Sequence, residues 1–236
     1  MQVRIYPTKQ DVAAKFSTFL ADLVKSTKIL NIALSGGSTP KIVFDYLAEN
    51  YADLDWSHVN FYWGDERCVL PTDSESNYKM TVKHLLSKIE IPSENIFRIQ
   101  GENDPEKEAI RYSAVLEKEL PSEFKIPQFD LVILGMGDDG HTASIFPHEI
   151  ELWDSNENCV VAVHPDSGQK RVSITGKIIN NAEKVAFLVT GASKAEKVQE
   201  IIKKTGNFKE YPATLVKPTS GKLIWFLDKD AAKNIR

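Results

Sequence analysis

Three times in this chain a short apolar run ends in a glycine-bearing turn. Lys28 to Leu34 runs into Ser35-Gly-Gly-Ser-Thr-Pro40, Phe129 to Leu134 into Gly135-Met-Gly-Asp-Asp-Gly140, and Lys184 to Thr190 into Gly191-Ala-Ser-Lys194. Apolar runs of this length, bounded by turns, suit strands buried on both faces. Segments with helical spacing lie between them. Thr8 is a good N-cap with Asp11 three residues on. After it Val12, Ala13, Phe16, Phe19, Leu20, Leu23 and Val24 mark one face of a helix. Strands alternating with helices require crossover connections. The expected fold is therefore α/β, with a mainly parallel sheet covered by helices on both faces. No repeat, low-complexity run or linker divides the chain. The loop near Pro121 to Pro127 is too short to separate domains, so a single domain over 1–236 is expected.

The remaining elements follow the same alternation. Pro40 suits the first position of a helix running to about Asn50. Strands are expected at Val59 to Trp63, Cys159 to Val163, Arg171 to Thr175 and Leu223 to Leu227. Helices are expected from Ser76 to Lys88, from Asp104-Pro105 to Leu120, and from Ser193 to Lys204. A short polar helical tail is expected after Leu227.

Composition narrows the function classes. The formal net charge is −4, so no basic surface favours nucleic acid or a membrane. The start, Met-Gln-Val-Arg-Ile-Tyr-Pro7, contains no apolar run like a signal peptide, and no segment is long enough to span a bilayer. Cys68 and Cys159 have no metal-like spacing, so two free thiols and a cytoplasmic location are expected.

The glycine turns carry the candidate chemistry. In an α/β sheet, ligands bind at the carboxyl ends of strands. Gly36, Gly37 and Ser38 join a strand to a helix start, where backbone N–H groups and the helix dipole favour an anion. The other possibility is a tight turn capped by Ser38 or Thr39. The spacing of a Walker A loop is missing. Gly135-Met-Gly-Asp-Asp-Gly140 fits G-x-G-x-x-G literally. However, Pro147 stops any long helix after it, and no strand ending in an acid follows at the needed distance. His141 follows two acids and a glycine corner. An imidazole, with an unperturbed pKa of about 6.5, can act as a general base there, oriented by a carboxylate. Asp139 and Asp138 are both available for that. A structural, hydrogen-bonded histidine is the alternative. A metal site with His148 and His164 as extra donors lacks any recognised ligand pattern. Asp65-Glu66-Arg67 at a strand end reads as a surface ion pair, or else offers Arg67 as a fork for phosphate or carboxylate. Lys194 and Arg171 can point to solvent or add charge to the same anion site.

Taken together, these segments resemble the 6-phosphogluconolactonase family. They are Ser35-Gly-Gly-Ser-Thr-Pro40, Asp65-Glu-Arg67, Ser76-Asn-Tyr78, Gly135-Met-Gly-Asp-Asp-Gly-His-Thr-Ala-Ser-Ile-Phe-Pro147, Arg171 and Leu188-Val-Thr-Gly-Ala-Ser-Lys194. The resemblance implies a fold of the sugar-phosphate isomerase type without metal or cofactor. It also implies hydrolysis of 6-phospho-D-glucono-1,5-lactone in the pentose phosphate pathway, with a sugar-phosphate lactone as the partner. It places His141 and Asp139 in catalysis, and Gly36, Gly37, Ser38, Arg67, Arg171 and Lys194 around the phosphate. Glucosamine-6-phosphate deaminases are similar but carry tyrosine after Asp-Glu, where Arg67 stands here. They also carry a glutamate five residues beyond the histidine, where Phe146 stands here. A non-catalytic sugar-phosphate sensor would need an output module, and no DNA-binding segment is evident. The stretch Val163-His-Pro-Asp-Ser-Gly-Gln-Lys170 departs from the lactonase pattern.

Overall fold

A computed structural model describes residues 1–123 and 126–235. In chain order the strands are β1 (Gln2–Tyr6), β2 (Leu30–Leu34), β3 (Val59–Trp63), β4 (Asp65–Arg67), β5 (Ile96–Phe97), β6 (Ser122–Glu123), β7 (Ile126–Pro127), β8 (Leu131–Leu134), β9 (Cys159–Val163), β10 (Lys170–Ile174), β11 (Val185–Val189) and β12 (Leu223–Asp228). The α-helices are α1 (Lys9–Ser26), α2 (Ser38–Asn50), α3 (Asn77–His84), α4 (Pro105–Glu119), α5 (Gly176–Asn181) and α6 (Ala195–Lys203).

Seven strands form one parallel sheet in the order β1-β12-β11-β8-β2-β3-β5. Every residue of β2, β8, β11 and β12 is buried, as sheet strands covered on both faces must be. Phe226 of β12 packs on Phe16 and Phe19 of α1. Its neighbour Trp225 points the other way, stacks on Phe187 at 4.1 Å and shares a cavity with Ile201 of α6. The alternation of one strand thus serves helices on both faces.

The strand order places the ligand edge. The chain runs outward from β2 to β3 and β5, then returns to put β8 on the other side of β2. The loops after β2 and β8 therefore diverge at a topological switch point, where a crevice opens at the carboxyl ends of the strands.

At α1 the capping box is present. Thr8 accepts from the Asp11 amide, and the Asp11 carboxylate accepts from the Thr8 amide. Asp104 caps α4, with Pro105 in its first turn. Several expectations need correction. Pro40 is the third residue of α2, because Gly37 at φ 104° turns the chain and Ser38 already begins the helix. The expected helix to Lys88 breaks at Leu85 into a separate 3₁₀ turn. Residues 229–235 form turns rather than a helical tail. β1 lies in a segment with no strong pattern. It is an edge strand with Val3 and Ile5 partly exposed, so its pairing with β12 rests on backbone hydrogen bonds more than on apolar burial. Strands β9 and β10 leave the main sheet and pair antiparallel with β4 as β4-β10-β9.

Cys159 is buried, and burial pushes its thiol up to about 12; the half-buried Cys68 is pushed up to about 11, also chiefly by burial. Thiolate is the reactive form. The native protein is therefore expected to resist a thiol-specific reagent near pH 8, and both thiols should titrate once it is denatured. Rapid native labelling near pH 8 would contradict these environments.

Candidate active site

A cleft of about 210 Å³ lies at the switch point. The loop after β2, the β4 end, the loop after β8, β10 and the α6 start all reach it. They bring Gly36, Gly37, Ser38, Arg67, His141, Arg171 and Lys194 to its wall. Asp139 does not line the cleft. It stands behind His141.

The loop after β8 is shaped to hold that pair. Gly137 donates its amide to the His141 carbonyl at 2.9 Å, and Gly140 turns the corner at φ 86°. The Asp139 carboxylate accepts from the His141 amide at 3.0 Å and lies 2.6 Å from Nδ1 of the ring. Burial pushes the Asp139 carboxyl up. The hydrogen bonds and charge of His141 outweigh it and hold the carboxyl below its ordinary value. An ionised Asp139 favours a proton on Nδ1, which leaves Nε2 as the free basic nitrogen. A Cβ on Gly137 would come within 2.2 Å of His141 Nδ1 and 2.6 Å of Asp139, so this pair fits only behind glycine. Asp138, the other acid in the sequence, is drawn away to Lys194, with 2.8 Å between Oδ1 and Nζ.

The Phe146 ring lies 4.6 Å from His141 and is fully buried. His148 and His164 pack on the same ring, at 5.9 and 5.3 Å. These two histidines surround an aromatic side chain rather than line the cleft. Among the described residues no three His, Cys, Asp or Glu side chains form a group able to hold a metal ion.

The opposite wall gathers unbonded donors and cationic side chains. The start of α2 receives no side-chain cap, so neither Ser38 nor Thr39 satisfies its free amides. Thr39 instead meets Thr190 across the cleft at 2.8 Å. Arg67 and Arg171 sit opposite each other in the β4–β10 pair. Two like charges facing across strands repel. Burial and the Arg67 charge together press the Arg171 guanidinium below its ordinary range. The Nε groups of both arginines are buried without a partner among the described residues. Arg67 donates one other nitrogen to the Glu75 carbonyl, and Arg171 lies 5.5 Å from the Phe146 ring centre.

Asp65 and Glu66 are not half of a surface ion pair. Both are buried. Asp65 accepts from the Ser144 hydroxyl at 2.6 Å. Glu66 accepts from the amides of Arg67, Asn77 and Tyr78 and from the Ser76 hydroxyl. Burial still raises its carboxyl, with nearby Asp65 adding to the rise. Glu66 thus ties the start of α3 to the end of β4, and so places both Arg67 and Asn77. Asn77 lines the cleft and packs so tightly on Gly36 that a Cβ there would lie 1.8 Å from its Oδ1. Asn77 has no chemical signature of its own in the sequence, although it sits within the Ser76-Asn-Tyr78 stretch. The divergent 164–170 turn stays off the cleft wall, while Arg171 just after it is delivered there by β10.

Residues 7–225 match the family model for glucosamine-6-phosphate isomerases and 6-phosphogluconolactonases, and the chain belongs to this family. Within it, the chain is 44% identical over 230 residues to the 6-phosphogluconolactonase of Aggregatibacter actinomycetemcomitans, covering 97% of both. It is 47% identical over 202 residues to that of Treponema pallidum (strain Nichols), covering 85% of this chain and 84% of the relative. The solved 6-phosphogluconolactonase of Trypanosoma brucei superposes with a TM-score of 0.90 at 28% identity, covering 100% of this chain and 98% of that one.

Proposed function

We propose that this protein hydrolyses 6-phospho-D-glucono-1,5-lactone to 6-phosphogluconate in the oxidative pentose phosphate pathway. One observation carries the reading. A carboxylate-oriented histidine faces, across a single cleft, an uncapped helix start and two arginines with unpartnered nitrogens. A substrate with a hydrolysable carbonyl at one end and a phosphate at the other fits this division. The names of the relatives support the same substrate.

In the proposed reaction, Nε2 of His141 takes a proton from water and the hydroxide adds to the lactone C1 carbonyl. The tetrahedral intermediate collapses with cleavage of the bond between C1 and the ring oxygen. The imidazolium returns its proton to that oxygen. Asp139 holds the ring tautomer and offsets the imidazolium charge. The phosphate lies against Gly36, Gly37, Ser38, Arg67, Arg171 and Lys194. Binding there aligns the carbonyl for attack.

Phe146 bears on the deaminase alternative. Ring opening and amine loss need another acid-base group near the histidine, and this position holds a buried aromatic. The purified chain is expected to accelerate acid release from fresh lactone and to release no ammonia from glucosamine 6-phosphate. Ammonia release without lactone hydrolysis would overturn the proposal.

The proposed reaction uses only side chains and water. Dialysis against a chelator is therefore expected to leave the rate unchanged. Loss of activity restored by one divalent ion would contradict that.

A further inference from the structure

We propose that Tyr211 is a positioning residue: its ring sets the Gly140 corner and, through it, the His141–Asp139 pair. The inference rests on the lactonase reading for its kinetic arm alone.

The inner side of the loop after β8 is bonded to itself, with Gly137 to His141 and Gly140 to Gly137. Its outer side leans on Tyr211. A Cβ on Gly140 would lie 2.6 to 2.8 Å from Tyr211 ring and Cβ carbons, so the side chain closes against the glycine backbone. The Gly140 carbonyl accepts the Ala213 amide at 3.1 Å, which ties the two segments on both sides of the contact. Gly140 stands between Asp139 and His141. A shift of the corner would therefore change the distance on which the tautomer depends.

Tyr211 is itself held from several sides. Pro212 follows it, which favours an extended backbone, and Tyr211 is extended at φ −96°, ψ 119°. Its ring is buried, and its hydroxyl donates to Glu200 of α6. Lys197 lies 4.8 Å from the ring centre and 3.8 Å from the Glu200 carboxylate. The residue just before α6, Lys194, pairs with Asp138 of the same loop. The loop is thus held twice from this side: Lys194 pairs with Asp138, and Tyr211, itself held by Glu200 of α6, meets Gly140 next to His141.

The test compares Tyr211→Ala with Tyr211→Phe. Small displacements of a catalytic group can cost up to about a hundredfold, so Tyr211→Ala is expected to lower kcat at least about tenfold with KM within about twofold. Tyr211→Phe keeps the ring and should stay within about threefold of wild-type kcat. A second readout needs no turnover: the downfield proton line of His141 Nδ1–H, identified by its loss in His141→Asn. It should persist in the wild type and in Tyr211→Phe, and be lost to exchange in Tyr211→Ala. If Tyr211→Ala does not fold, Tyr211→Leu, which lacks the flat ring, replaces it with the same split expected. A folded Ala or Leu variant with wild-type kcat and an intact line would overturn the proposal. So would a rise in KM at constant kcat, or a Phe variant as impaired as Ala. If the wild type itself failed to hydrolyse the lactone, the functional reading would fall, while the Nδ1–H line would still decide the role of Tyr211.

Discussion

His141→Ala or His141→Asn is expected to lower kcat by at least about a hundredfold, the usual scale for a positioned general base. The loss should appear in kcat rather than KM, because in the proposed reaction the ring moves the proton while other groups in the cleft hold the phosphate. Folding should survive. The imidazole is partly exposed, and its polar contacts stay within its own loop. Asp139→Asn should follow in the same direction, since an amide no longer favours the Nδ1–H tautomer. Its main-chain acceptor role for the His141 amide can persist, so a kcat loss without unfolding would isolate the tautomer effect. Circular dichroism and thermal melts should accompany the kinetics. A folded His141 variant with near wild-type kcat would remove this residue as the base.

The second large effect is expected at the anion wall. Removing the side chain of Arg67 or Lys194 should weaken kcat/KM for the phosphorylated lactone by about ten- to a hundredfold, since charged hydrogen bonds contribute roughly 1.5–3 kcal/mol each. Arg67 should sit at the upper end. Its Nε is buried without a partner, whereas Lys194 already pairs with the exposed Asp138. With Asp138 so exposed, water screens this pair, so a phosphate can draw the ammonium away at small cost. Hydrolysis of unphosphorylated gluconolactone should barely change, because it offers nothing to pair with either residue. The comparison needs folded variants at matched ionic strength, with spontaneous hydrolysis subtracted. Equal losses on both lactones would assign these residues to the chemistry or the fold and dismiss the phosphate site.

The Arg67–Arg171 pair also supports the proposal that this wall takes an anion. Two guanidinium groups facing across β4 and β10 are unfavourable alone, and burial sharpens the penalty. An anion between them reverses the sign. The buried Glu66 helps place the wall: four donors converge on its carboxylate and tie Arg67 and Asn77 to the start of α3.

What was legible in the sequence is local. Buried strands declare themselves because burial on both faces demands continuous apolar runs, as in β2, β8 and β11. The capping box at Thr8 and Asp11, and the Pro105 start of α4, depend on residues a few positions apart. The glycine loops after β2 and β8 announce a ligand edge for the same reason: tight backbone turns exclude side chains. Tertiary structure decided everything that depends on distant partners. The β1 segment became a strand only by pairing with β12, more than two hundred residues away. Asp65 and Glu66 look like surface charges until Ser144 and the start of α3 arrive to bury and bond them. Adjacent acids cannot be told apart by spacing, and Lys194 separates them by drawing Asp138 outward and leaving Asp139 to His141. Tyr211 has no signature at all, because its significance is a contact with a glycine that only the folded chain brings against its ring.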